Sequence, residues 1–495
     1  MPFGEVLIDL RFVRRLSFVN SHHDSLESTV GRAVGTETVT GFPPPTAATE
    51  APLSQADFLR SLFRALEQER VRYCVLQRWD ALMEELDTDH DVDLAVHPGD
   101  ANKLHFVWRA LREHGYQPIQ LLNHAVNSYA FVFAWFEGLV VKTVMVDIAF
   151  EHRQGGLIWK SGEELVARRQ KPRDFWVADP ATEFAYLLVK KMLKGTVKVR
   201  REQRFKLLVE RIGRTQAEKI AGELFGEKRK EQVVDACVSG SPGPLLRTLR
   251  RRFLWTRFAL NPLNLMRYVV SDGWRLSRRW FQPTGVFLGL LGPDGVRKNI
   301  ILARFVEGIT PAFGSQKVFW CSRTTVPIGE SDTPATGPQG WPSREALGSA
   351  LGLFGSFLSF WLNYALRIRP MLARSNLVLL DRYFLDGLAD GNGGQYRGLK
   401  WLAYLLSCFA PKPDLLLLLD TQEGAVLSYE RVAPQTELRR QRGDSQPLTR
   451  SFGNVHLIGS EQGISQMVRE ASQLFLEHLV QRFQRRHARW LASGQ

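Results

Sequence analysis

The stretch GLLGPDGVRKNIILARF, residues 289–305, decides how the C-terminal half of this 495-residue chain is read. It closes an apolar run, GVFLGLL, turns through glycines and enters residues suited to a helix. A loop of the form GxxxxGK[ST] in that setting encloses phosphate. Successive backbone N–H groups and a helix N-terminus face the anion, the lysine reaches the outer oxygens, and the hydroxyl holds Mg²⁺. Here Gly292, Asp294, Gly295 and Lys298 provide the turn and the cation, and the helix is expected to begin at about Lys298. Two positions depart from the pattern: Arg297 replaces the glycine before the lysine, and Asn299 replaces the hydroxyl residue. A side chain at 297 can crowd the phosphate or require a backbone that glycine adopts cheaply. An amide oxygen at 299 is a poorer and differently placed Mg²⁺ partner.

Outward from this loop, KVFWC, NLVLLD and DLLLLLD are near-continuous apolar runs. Such runs belong to strands of a parallel sheet covered on both faces, so an α/β domain is expected over 283–485, followed by a tail at 486–495. Within it, ALGSALGLFGSFLSFWLNYAL at 346–366 carries no charge. Its length admits a membrane span; its three glycines, three serines and asparagine, and its place inside an α/β domain, favour a buried or interface helix.

These stretches carry a resemblance. PTGVFLGLLGPDG, RIRPMLARSNLVLLDRYFLD, PKPDLLLLLD and ELRRQRGD, in that order before a closing helix, resemble the thymidylate kinase-like branch of P-loop kinases. The resemblance is strongest to versions joined to a nucleotidyltransferase-like domain in bacterial surface-polysaccharide gene clusters. It implies ATP and Mg²⁺ as cofactors and assigns roles by position. Lys298 matches the phosphate-binding lysine, and Asp294 the loop acid that faces the acceptor. Asp381 and Arg382 match an Asp-Arg pair that organises Mg²⁺ and holds a phosphate. Arg323 matches an arginine after the second strand. Arg431, Arg439, Arg440 and Arg442 would supply lid charge for the transferring group, although Tyr429-Glu430 stands where the family has an Arg-Lys pair. Without the resemblance, the lid arginines read as a solvated helix face, whereas Asp381-Arg382, which could be a salt-bridged strand end, stands at the carboxyl end of a strand, where open α/β sheets bind ligands.

The N-terminal half reads differently. Gln55–Glu69 is helical in pattern, RYCVLQ and DVDLAV are strand-like, ANKLHFVWRALREHGY is an amphipathic helix, and AFVFAWF and VVKTVMVDIAF are strands. This is an α+β order, expected over 55–215. Asp91 and Asp93 lie two apart on one strand and so face one way, while Asp147 belongs to another. The pattern resembles minimal nucleotidyltransferases of the polymerase-β type, which implies that the three acids hold Mg²⁺ for nucleotidyl transfer. The Gly-Ser of that family is absent, with Gln77-Arg78 near its place. The plainer reading makes Asp91 and Asp93 a solvated strand end, and Lys190, Lys191 and Lys194 exposed surface lysines.

Residues 21–54 are rich in Ser, Thr, Gly, Pro and Ala, and 1–54 reads as a flexible leader. RRLSFVN near the start is followed by SHHDSLESTVG in place of an apolar segment, which argues against export. Residues 216–282 read as a basic helical connector, with nine arginines and one acid, Asp272, between 247 and 282. A solvated face, an anionic membrane and a nucleic-acid backbone are the three readings of that charge, the last ranked lowest. The net charge of +14 favours polyanionic partners in general. Four widely spaced cysteines exclude a zinc site or disulfide framework and fit a reducing cytoplasm. The sequence therefore points to a nucleotide-binding phosphotransferase acting on a nucleotide or phosphorylated small molecule, with a homodimer through 346–366 open. The alternative is a catalytically inactive nucleotide-sensing scaffold docked on a membrane or assembly complex.

Overall fold

A computed structural model describes residues 53–77, 91–125, 127–154, 157–192, 199–239, 262–291, 296–313, 357–380, 409–420, 455–459 and 463–492. Shorter pieces lie at 248–249, 251–252, 255, 319–320, 354–355 and 405–406. The chain forms two compact units. One comprises Pro45–Glu137, Lys142–Ser277 and Val480–Gln495; the other comprises Arg278–Leu479 with Gly138–Val141.

The N-terminal unit begins with α1 (Gln55–Gln68), started by Ser54, whose hydroxyl accepts from the Asp57 N–H and satisfies one orphan donor. Its apolar residues recur on one face, so Phe58, Leu59, Leu62, Phe63 and Leu66 are buried together. The chain continues through β1 (Tyr73–Val75), β2 (Val92–Val96), α2 (Leu104–Glu113), β3 (Gln117–Ala125), β4 (Ser128–Glu137) and β5 (Val140–Ala149). The sheet order is β1-β2-β5-β4-β3, with β2 and β5 parallel and β1–β2 and β3–β4 antiparallel, so the sheet is mixed. Trp108, Phe133 and Trp135 fill the space between α1, α2 and the sheet.

A two-stranded hairpin follows, β6 (Glu151–Gln154) with β7 (Leu157–Ser161), and then α3 (Gly162–Ala167), whose start is capped reciprocally by Ser161 and Glu164. Four more helices are α4 (Pro180–Met192), α5 (Val199–Ile212), α6 (Arg214–Phe225) and α7 (Lys230–Ser239). Ala217, Ile220, Phe225, Val233 and Cys237 pack with Phe184, Leu188 and Phe205 in one core. The core thus runs on past residue 215, where composition suggested a boundary. Helix α8 (Pro262–Phe281) completes the connector.

The C-terminal unit is an α/β layer built on β8 (Val286–Leu291), α9 (Val296–Ile309), β9 (Phe319–Trp320), α10 (Arg369–Ala373), β10 (Leu377–Leu380), β11 (Leu415–Asp420), β12 (Val455–Gly459) and, up to Leu479, the closing α11 (Ile464–Ala492). All five strands are parallel, in the order β12-β11-β8-β10-β9. The first strand is therefore central, with β9 and β10 on one side and β11 and β12 on the other. Phe287, Leu372, Val378, Leu380, Leu416 and Leu418 share a core cluster, as the unbroken apolar runs require. Both the α/β and the α+β expectations hold. Among the described residues no helix is long and apolar enough to cross a membrane.

Candidate functional site

In the C-terminal unit, β8 feeds the 292–295 loop and the helix after it. Because the chain crosses from one side of β8 to the other, the carboxyl end of this strand is a topological switch point, where open α/β sheets bind ligands. Helix α9 starts at Val296, two residues earlier than the sequence suggested, so Arg297, Lys298 and Asn299 all fall in its first turn. Residue 297 therefore has helical backbone, which any L-residue adopts without strain, and the concern that only glycine fits the backbone there is removed. Lys298 is buried, with 5% of its surface exposed. A buried lysine in the first turn of a helix that follows a central strand fits a phosphate group. Gly292, Asp294, Gly295, Arg323, Asp381, Arg382, Arg431, Arg439, Arg440 and Arg442 lie outside the described residues. Strand β10 ends at Leu380, one residue before Asp381, and pairs in parallel with β8.

The N-terminal unit holds a second cluster. Parallel pairing of β2 with β5 sets Asp93 opposite Asp147, the two acids that the sequence assigned to separate strands. The Asp93 carboxylate accepts from Lys190 Nζ at 3.0 and 3.2 Å and from the Gln77 amide. Lys190 Nζ also donates to the Tyr186 hydroxyl at 2.7 Å. Tyr186 and Lys190 are four apart on α4 and so share one face. The His152 ring stands edge-on to Tyr186, with centroids 4.8 Å apart.

Electrostatics in the cluster are strong because it is dry. Burial pushes the Tyr186 phenol up, and the Asp93 carboxylate adds to that shift. Burial alone would depress the Lys190 ammonium, but the Tyr186 oxygen and Asp93 outweigh it and hold the pKa above the ordinary lysine value. Lys190 is thus not the exposed surface lysine that the sequence suggested. It is a fixed internal cation; Gln77, which the sequence placed near the absent Gly-Ser, also reaches this site, and Tyr186 is the member that sequence reasoning passed over. The i, i+4 spacing of Tyr186 and Lys190 was the available signal.

This arrangement bears on the three-acid Mg²⁺ reading. Asp91 is exposed just ahead of β2. Among the described residues no three His, Cys, Asp or Glu side chains form a group able to hold a metal ion. The charge of Asp93 is met by an ammonium. Of the three acids, Asp93 and Asp147 stand side by side in the sheet, with the Asp93 carboxylate bonded to Lys190, while Asp91 lies ahead of the strand.

Part of this chain is similar to thymidylate kinases. The thymidylate kinase of Xanthomonas oryzae pv. oryzae is 32% identical over 150 residues, 28% of this chain and 57% of that protein. Those of Xanthomonas euvesicatoria pv. vesicatoria and Xanthomonas campestris pv. campestris are 33% identical over 150 residues and 31% over 147, again across 28% of this chain. The chain spans little more than half the length of these curated relatives. No family model matches it. A solved structure, JHP933 from Helicobacter pylori, is 11% identical and covers 43% of this chain and 99% of that one, at a TM-score of 0.23, too low to argue a shared fold. The likeness to thymidylate kinases, over part of the chain, is in keeping with a nucleotide-kinase-like P-loop unit.

Proposed function

We propose that the chain is a nucleotide-binding phosphotransferase whose C-terminal unit takes ATP. The observation that carries this is buried Lys298 in the first turn of α9, fed by the central strand at the switch point of a parallel sheet. ATP would supply the phosphoryl group. Lys298 and the first-turn amides of α9 would hold its phosphates, and Gly292 and Gly295 would let the backbone close around them. Asp381 and Arg382, carried by the chain leaving β10, would orient Mg²⁺ and the acceptor. Asp294 would face the acceptor, Arg323 would join the groups that bind the nucleotide, and Arg439 and Arg442 would neutralise charge on the transferring group. The acceptor class is a nucleotide or a phosphorylated small molecule, with surface polysaccharide metabolism as the setting that the resemblance suggests.

The test is thermal unfolding of the full chain with millimolar ATP and Mg²⁺. A rise in midpoint that Lys298→Ala abolishes is expected, and no rise at all overturns the reading. Turnover is a separate question, because Asn299 offers no hydroxyl. If Arg297→Gly with Asn299→Thr gains phosphoryl transfer over the unaltered chain, the native loop binds nucleotide but transfers poorly. Equal rates would show that the two substitutions do not matter.

For the N-terminal unit we propose a nucleotidyltransferase-like lineage in which Lys190 has replaced the metal charge at Asp93. The in-register pair Asp93 and Asp147 supports it. The two described cysteines, Cys74 and Cys237, are free thiols and support a reducing cytoplasm. A homodimer is proposed through the C-terminal unit, where Leu358, Leu362 and Leu366 stand exposed on one helical face.

A further inference from the structure

Helix α8 is amphipathic the wrong way round for a helix held only by its own chain. Leu263, Met266, Val270 and Trp274 recur at spacings of three and four, so they form one stripe, and they are 72%, 68%, 69% and 73% exposed. Phe281 continues the stripe two turns on, 74% exposed. The polar side of the helix is the side that is pinned. The Arg275 guanidinium donates to Asp272 at 2.8 Å and to the Asn123 carbonyl oxygen at 2.9 Å. Arg153 lies over the Tyr268 ring. Four large apolar side chains held out on a helix whose charged face is fixed inward form a surface built to be covered.

The charge around the stripe selects what covers it. Nine arginines and one acid lie between residues 247 and 282, and that acid, Asp272, is already paired to Arg275. Arg251, Arg252 and Arg278 are exposed, as is Trp255 at 71%. Exposed apolar side chains with three exposed tryptophans, Trp255, Trp274 and Trp280, bordered by arginine and free of any unpaired acid, match the boundary between acyl chains and anionic headgroups. The helix carries too many charged residues to span, in keeping with the lack of any spanning helix among the described residues.

We propose that α8 lies in the surface of an anionic lipid bilayer, with Leu263, Met266, Val270 and Trp274 seated at the acyl boundary. This surface is independent of the nucleotide reading. Flotation of the full-length protein with vesicles tests it, using phosphatidylcholine alone and phosphatidylcholine doped with phosphatidylglycerol. The protein is expected to float with the doped vesicles and not with the neutral ones. The double variant Met266→Glu/Val270→Glu should bind on the order of a hundredfold more weakly, since each lost apolar anchor is worth about tenfold. Both residues are exposed, so circular dichroism should show an unchanged melt, which separates lost docking from lost folding. Undiminished flotation of the variant overturns the proposal. So does light scattering that shows a dimer in the unaltered chain and a monomer in the variant, which would assign the stripe to a second copy. Retention on duplex DNA with the same sensitivity to the variant overturns it in favour of nucleic acid.

Discussion

The carboxylate of Asp93 is 9% exposed and shares Lys190 with the Tyr186 hydroxyl. In so dry a setting the value of the pair lies in what is left when one member goes. Lys190→Met leaves a buried carboxylate without its cation, and a loss of about 3–5 kcal/mol in urea unfolding is expected. A loss below about 1 kcal/mol, the range of a surface pair, would show that the ion pair is incidental. Asp100 poses a different question, because its role is set by pH. Burial works against its charge, but the Arg72 guanidinium, the Lys103 ammonium and the Arg72 backbone N–H together hold the carboxyl far below its usual range. The folded pKa is thus depressed. The stability that this gives is full above the unfolded value of about 4 and is lost as pH falls from there towards the folded value. Asp100→Asn should therefore cost roughly 1.5–3 kcal/mol at neutral pH and show a shallower fall in stability below about pH 4. Parallel pH–stability curves for the two proteins would refute the assignment.

At the level of elements, β4, β5, β8, β10 and β11 were legible because each is a run of apolar residues long enough to show its period. Strand β12, whose His456 and Leu457 are exposed, and the β6–β7 hairpin, whose residues are largely polar, carry no such period and were not expected. The N-terminal helices after residue 215 read as a connector because their charge is conspicuous, while the side chains that join the core, such as Ala217 and Ala221, are small. Close approach is a further property that sequence does not show. A Cβ on Gly285 would stand 2.5 Å from the Asn376 carbonyl oxygen and 2.7 Å from Leu372 Cα, both of them backbone. Gly285 is tied there by its N–H to the Leu372 oxygen and by the Val286 N–H to the Asn376 oxygen. Gly285→Ala must push the start of β8 away from the turn after α10, and a loss of about 1–3 kcal/mol is expected. Gly273 in α8 is the control, because a Cβ there meets nothing within 4 Å. Gly273→Ala should stabilise by about 0.5–1 kcal/mol through helix propensity. Equal effects of the two substitutions would mean that the contact at Gly285 is not the cause.

The molecule as a whole carries +14 at neutral pH, and this complicates any test of nucleotide binding. A field of that sign concentrates every polyanion near the surface, so ATP can raise the unfolding midpoint without occupying a site. Salt separates the two cases. Raising ionic strength from about 0.1 M to about 1 M shortens the screening length from about 10 Å to about 3 Å, which removes diffuse attraction but leaves short-range contacts to a buried group such as Lys298 largely intact. Stabilisation by a specific ligand follows its saturation, about 2.7 kcal/mol at a hundred times the dissociation constant. With ATP and Mg²⁺ held well above saturation, the expected outcome is a stabilisation that survives high salt and disappears in Lys298→Ala. Inorganic tripolyphosphate, which shares the phosphates but has no nucleoside, should keep at high salt only the part of its effect that Lys298→Ala removes. If ATP and tripolyphosphate fade together, or if Lys298→Ala retains the full shift, the gain comes from the basic surface, and the loop after β8 holds no nucleotide.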